Sequence, residues 1–108
     1  MALTRDFRET VQARVRKDSE FRRGMLRDAI EALLADEAEL GRELLRDYIN
    51  ATLGFPALAE KTGIHVKTLH KMFGPKGNPT AANLFRILAC LQESEGIRLQ
   101  VRAGRAVA

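Results

Sequence analysis

Between residues 55 and 91 the chain reads FPALAEKTGIHVKTLHKMFGPKGNPTAANLFRILACL, and its glycines and prolines are spaced too closely for any but short helices until the last stretch. Pro56 fits the first turn of a helix that must end before Gly63, because a helix start wastes no donor on proline and a helix end favours the left-handed backbone of glycine. A second helix over residues 66–73 stops at Gly74-Pro75, two residues that a helix interior rejects for different reasons. After Asn78-Pro79, Thr80 is placed to cap a longer helix from Ala81 to about Glu95, with Leu84, Ile87, Leu88 and Leu91 turned to a core.

Upstream, residues 4–17 set Phe7, Val11 and Val15 four apart, with Leu3 one step before, which predicts an amphipathic helix with a thin apolar stripe. Ser19 can cap a second helix to about residue 35, where Phe21, Met25, Ala29, Ile30, Leu33 and Leu34 form a wider stripe. Asp36 followed by Glu39 has the form of a capping box. It would open a third helix carrying Leu40, Leu44, Leu45, Tyr48, Ile49 and Leu53 on one side, with Gly54 suited to the position after its end. The linkers are very short, so antiparallel packing is expected.

Downstream, GIRLQVRA at residues 96–103 alternates Ile97, Leu99 and Val101 with Arg98, Gln100 and Arg102, the period of a β-strand. A lone strand leaves its amides and carbonyls unpaired, and the simplest partner is the same strand of a second subunit. Ile97, Leu99 and Val101 are therefore the expected dimer strand. Strand formers are otherwise scarce in a chain with 45% hydrophobic and 6% aromatic residues, so the expected fold is mainly α. The 108 residues read as a single domain: N-terminal helices over 1–54, the short-helix unit and its supporting helix over 55–95, and a strand over 96–103.

No apolar run reaches the roughly eighteen residues of a membrane span, and the N-terminus MALTRDFRET lacks the apolar core of a signal peptide, so a cytoplasmic location with no membrane partner is expected. Cys90 is the single cysteine, which excludes an internal disulfide and a cysteine-based metal cluster; its apolar surroundings predict a buried structural thiol.

Residues 1–54 carry ten Lys/Arg against eleven Asp/Glu, and residues 55–108 carry eight against three, so the net charge of +4 lies wholly in the second half. That asymmetry points to a polyanion partner. The same half carries the residue types that a helix-turn-helix fixes by geometry: Ala59 where two helices touch, Gly63 four residues later where the turn goes left-handed, and Leu58, Ile64, Leu69 and Met72 as apolar anchors.

LAEKTGIHVKTLHKMF, the GNPT loop and ANLFRILACL resemble the Cro/C1-type (XRE) helix-turn-helix family, over roughly residues 55–92. The whole chain, with its helical N-terminal half and terminal GIRLQVRA, is similar in pattern to the HigA-like antidote proteins of bacterial addiction modules. The resemblance implies a Cro/C1-like helical bundle with extra N-terminal helices and a short C-terminal β-strand. It also implies a homodimeric repressor, a transcription regulator whose second motif helix enters the major groove of double-stranded DNA at a pseudo-palindromic operator. Carried onto this chain, His65, Val66, Lys67, Thr68, His70 and Lys71 would face base edges. Lysine can donate to guanine acceptors, threonine can donate or accept, and a valine can pack on a thymine methyl.

Lys76, Gly77, Asn78 and Thr80, in the loop and helix start that follow, are the expected phosphate contacts. The chain departs from the family pattern at Phe55, where many members place a polar phosphate contact, and at His65, which replaces a small polar cap.

A second reading follows from the surplus of about thirty-five N-terminal residues over a minimal domain of this family: an antitoxin that binds and neutralises a small toxin, with or without DNA binding. An enzyme is not expected. His65 and His70 are five apart and fall on different sides of a helix, no metal-ligand spacing occurs, and the acidic residues of the N-terminal helices interleave with arginines as solvated pairs. GPKG and GPKGNPT lack the strands of a KH module and the GxxxxGK[ST] of a P-loop, so neither RNA nor a nucleotide cofactor is implied. The chain implies no cofactor and no metal.

Overall fold

The structure is a computed structural model that describes residues 9–10, 13–15 and 17–106. Every regular element among these residues is a helix: α1 (Ser19–Leu34), α2 (Ala38–Ala51), α3 (Phe55–Thr62), α4 (Val66–Met72) and α5 (Ala81–Glu95). Of the helix expected over residues 4–17, Leu3, Phe7 and Val11 lie outside the described residues; Ala13, Arg14 and Val15 are helical, and Val15 is buried.

The cap of α1 lies one residue earlier than expected. Asp18, not Ser19, stands at the N-cap, and its Oδ1 accepts from the Phe21 amide at 3.1 Å. The expected capping box at Asp36 does not form. Asp36 takes a left-handed φ of 62° in the tight turn out of α1, and Glu37 becomes the N-cap of α2 without a side-chain bond. The turn is so short that the residue meant to cap the second helix is used to leave the first.

α1 and α2 pack side by side as a hairpin, and Gly41 is buried where they approach most closely. A methyl group there would strike the Leu33 side chain, which would have to shift to admit it. Leu26, Ala29, Leu45, Tyr48 and Ile49 from the hairpin join Leu58, Leu69, Ile87 and Leu91 in one core. Each fully buried leucine or isoleucine contributes about 1.5–3 kcal/mol. Leu34 and Leu40, expected on the core side, are 70% and 44% exposed, because both sit at the turn end of the hairpin, past the last covered layer.

The expected C-terminal strand is absent: residues 97–106 form no ladder. The Ile97 amide donates to the Gln92 carbonyl, and the Leu99 amide donates to Gln92 Oε1 at 2.8 Å, so side-chain and helix-end acceptors replace a neighbouring strand. Ile97 and Leu99 are half-buried against the chain's own core, whereas Val101 is 84% exposed. The period of two is that of an extended segment laid on helices, which a strand pattern cannot be told from without a partner edge. No helix among the described residues is long and apolar enough to cross a membrane.

Candidate nucleic-acid interface

Gly54 ends the preceding turn with φ 82°, and Pro56 sits in the first turn of α3 as its fixed φ requires. At the other end Gly63 takes φ 76° and its amide donates to the Ala59 carbonyl at 2.9 Å. Thr62 reinforces the turn: its hydroxyl donates to the Leu58 carbonyl at 2.7 Å and accepts from the Ile64 amide at 3.3 Å. Ile64 is then buried, and Leu58, Leu69 and Met72 lie beneath the two helices with Ala59 half-buried between them. The sequence-expected anchors thus fix α4 with one face on the core and the other open.

His65 is the N-cap of α4, and its Nδ1 accepts from the Lys67 amide at 3.1 Å. The imidazole does the work that a small polar residue usually does at an N-cap, although it remains exposed. Lys67, Thr68, His70 and Lys71 are exposed, and Val66 is half-buried against the core, so its methyls are shared with the protein interior. The side chains of Lys67, Thr68 and Lys71 make no hydrogen bond or ion pair with the described residues.

Phe55 is held by packing. It is 3% exposed, its ring lies 4.6 Å from that of His70 and 5.7 Å from that of Phe73, and it anchors the start of α3 beneath α4. The position holds an aromatic wedge, buried and therefore closed to a polar contact with phosphate. Arg46 of α2 reaches across to the Phe73 carbonyl at 3.5 Å, bringing a cation to the C-terminal end of α4, where the helix dipole favours one. These two positions lie 27 apart, and no local sequence signal marks the pair.

The expected phosphate contacts divide. Lys76 and Asn78 are exposed in the loop. Thr80 caps α5, its Oγ1 accepting from the Asn83 amide at 3.2 Å. Gly77 is corrected: it is buried, its amide donates to the Gly74 carbonyl at 2.9 Å, and a Cβ would collide with the Met72 carbonyl. Its lack of a side chain is required by the backbone of α4's last turn, and its amide is not turned outward to a phosphate.

Between Glu60 and Glu93 the chain has no carboxylate side chain, while Lys61, Lys67, Lys71, Lys76 and Arg86 all fall there. α4 and the loop behind it therefore carry lysines and no carboxylate of their own, while Glu60 borders the hollow at the start of α4 and Glu39 and Glu43 border the one at Phe73, Gly74 and Pro75. Cys90 is half-buried rather than fully buried; burial pushes its thiol above the ordinary value, with Lys61 opposing and Glu93 adding to the shift. Comparison of the chain with protein-family models, with curated proteins and with solved structures gave no match in any of the three.

Proposed function

We propose that this chain is a sequence-specific DNA-binding transcription regulator of the Cro/C1 (XRE) helix-turn-helix type, acting as a homodimeric repressor with α4 in the major groove. The observation that carries the reading is the division of α4. Leu69 and Met72 seat it on the core through a left-handed glycine turn, and Lys67, Thr68 and Lys71 stand exposed with no protein partner among the described residues. Those side chains can donate to base acceptors or to phosphate, and the two lysines favour a polyanion.

The test is fluorescence anisotropy of the purified chain on DNA from upstream of its own gene, against a shuffled duplex, at two salt concentrations. Binding to the native duplex that survives the higher salt better than binding to the control supports base readout. Equal and steeply salt-dependent binding to both overturns it, leaving phosphate attraction alone.

A second reading is an antitoxin that captures a small basic toxin on the N-terminal hairpin. It is favoured by the outer face of α2, where Glu39, Glu43 and Asp47 follow at four-residue spacing beside exposed Leu40, with no ion pair among the described residues. Burial raises the Asp47 carboxyl; Arg46 opposes the shift and Glu43 adds to it. Copurification with a basic companion encoded beside it, lost in Glu39→Lys/Glu43→Lys, supports this reading; its retention in that variant removes it.

A further inference from the structure

α5 carries a surface that fits a second copy of the chain. Its inner side, Leu84, Ile87, Leu88 and Leu91, belongs to the core. Its outer side presents Ala82, Phe85, Arg86, Ala89 and Glu93, all exposed, within an arc of about 100° at the helical repeat. Phe85 is 66% exposed, a large apolar group on an ordered helix with no cover. The side chains of Arg86 and Glu93 make no hydrogen bond or ion pair with the described residues, although Lys61 borders the same hollow as Glu93.

We infer that this face is the seam between two copies of the chain, with the two α5 helices antiparallel and crossing at Ala89. The charges select that arrangement. Arg86 lies three residues before Ala89 and Glu93 four residues after it, on the same flank of the helix. A two-fold axis at Ala89 reverses one helix and keeps the flanks together. It therefore sets Arg86 of each copy within about one residue rise, ~1.5 Å, of the level of Glu93 in the other. Two ion pairs form from one self-complementary patch. A parallel two-fold would instead carry the flanks to opposite sides of the seam, setting Arg86 of each copy beside Phe85 of the other and leaving Glu93 without a cation.

The small side chain at Ala89 lets the axes approach to the close end of the usual 8–10 Å. Phe85, on the other flank, is then covered by the last turn of the opposite α5. An aromatic of this kind buries roughly 150–250 Å² and is the type of residue that anchors an interface.

The inference deepens the homodimeric part of the proposed function. It is read out without DNA, so its failure leaves recognition by α4 untouched, and a failure of DNA binding leaves the seam untouched. The experiment is sedimentation of the full chain over a concentration series, with Arg86→Glu, Glu93→Arg and the double exchange. A wild-type dimer is expected, weakened at least about tenfold by each single reversal and restored by the pair of reversals. A wild-type monomer, unaffected single variants, or a double variant no better than the singles would overturn the seam.

A cross-link gives the register independently. In a Cys90→Ser background, Ala89→Cys should oxidise to a covalent dimer, because the two positions meet at the axis. Ala82→Cys should not, since seven residues on each copy separate it from its equivalent by about 21 Å. Cross-linking at both positions, or only at 82, overturns the antiparallel arrangement. Circular dichroism on each variant confirms that these exposed substitutions leave the helices formed.

Discussion

The Tyr48 hydroxyl donates to Glu95 Oε1 at 2.6 Å, joining α2 to the end of α5 across 47 positions of sequence. The same carboxylate accepts from Arg22 Nε of α1 at 2.9 and 3.1 Å, and Arg22 also donates to the Val15 carbonyl. The Glu95 side chain is only 6% exposed, so the N-terminal hairpin and the helix that supports α4 share one buried charged contact.

Burial pushes the Glu95 carboxyl up, but the hydrogen bonds from Arg22 and Tyr48 outweigh it and hold the group below its ordinary value. Burial first, and then the Glu95 carboxylate, drive the Tyr48 phenol above its own. A carboxyl lowered by folding stabilises the native state fully above its unfolded pKa, about 4.3, and loses that contribution as pH falls through the folded value. Glu95→Gln should therefore cost about 2 kcal/mol near neutral pH, roughly 10 °C in Tm. The gap from wild type should close as the pH falls below about 4. Thermal melts across the acid range check this; a gap that stays constant would mean that the ionised carboxylate does not carry the contact.

Gly77 and Gly74 neighbour the same helix end but should respond differently to alanine. At Gly77 the new methyl would meet the Met72 carbonyl and lie 2.7 Å from the Lys71 carbonyl oxygen, atoms of backbone that cannot swing aside. At Gly74 the nearest atoms, the His70 and Lys71 carbonyl oxygens, stand at 3.4 Å. Gly77→Ala should lose about 2–3 kcal/mol, and Gly74→Ala well under half of that. Urea unfolding of the two variants measures the difference.

His65→Ala removes the acceptor that caps the Lys67 amide and should cost about 1 kcal/mol, while His65→Asn or His65→Ser should recover most of it. Chemical denaturation distinguishes these variants. Equal loss in all three would assign the histidine a role other than capping.

Lys67→Ala with Lys71→Ala should leave the Tm within about 1 °C, since both side chains are exposed and unpaired among the described residues. Under the proposed function it should weaken binding to the upstream duplex by at least about tenfold. Titration by anisotropy is the measurement, and unchanged affinity would remove these lysines from the interface.

The helix-turn-helix spacing was legible because it depends on local rules: a proline start, a left-handed glycine and apolar residues at helical intervals. Pro56, Gly63, Leu69 and Thr80 all occupy the places those rules give them. The cap of α1 moved to Asp18 because neighbouring polar residues compete for one position, and that of α2 moved to Glu37 because the tight turn uses Asp36 to leave α1. Leu34 and Leu40 were placed inside because helical spacing gives the direction of a stripe but not how far its neighbour extends. The GIRLQVRA alternation could not reveal whether its amides meet a strand or a glutamine side chain. The Arg22, Tyr48 and Glu95 contact and the ring of Phe55 under His70 are products of tertiary assembly, with no signal in any window of sequence.

The stacking of His70 on Phe55 limits how such a surface could be re-specified. Exchange of His70 would uncover a core aromatic, exchange of His65 would loosen the start of α4, and exchange of Val66 would thin the core beneath it. Only Lys67, Thr68 and Lys71 are free of structural duties among the six outward candidates. Under the proposed function, a graft of new base preferences onto this scaffold therefore has three letters to vary rather than six, and divergent copies of the chain would be expected to change their targets through those positions first.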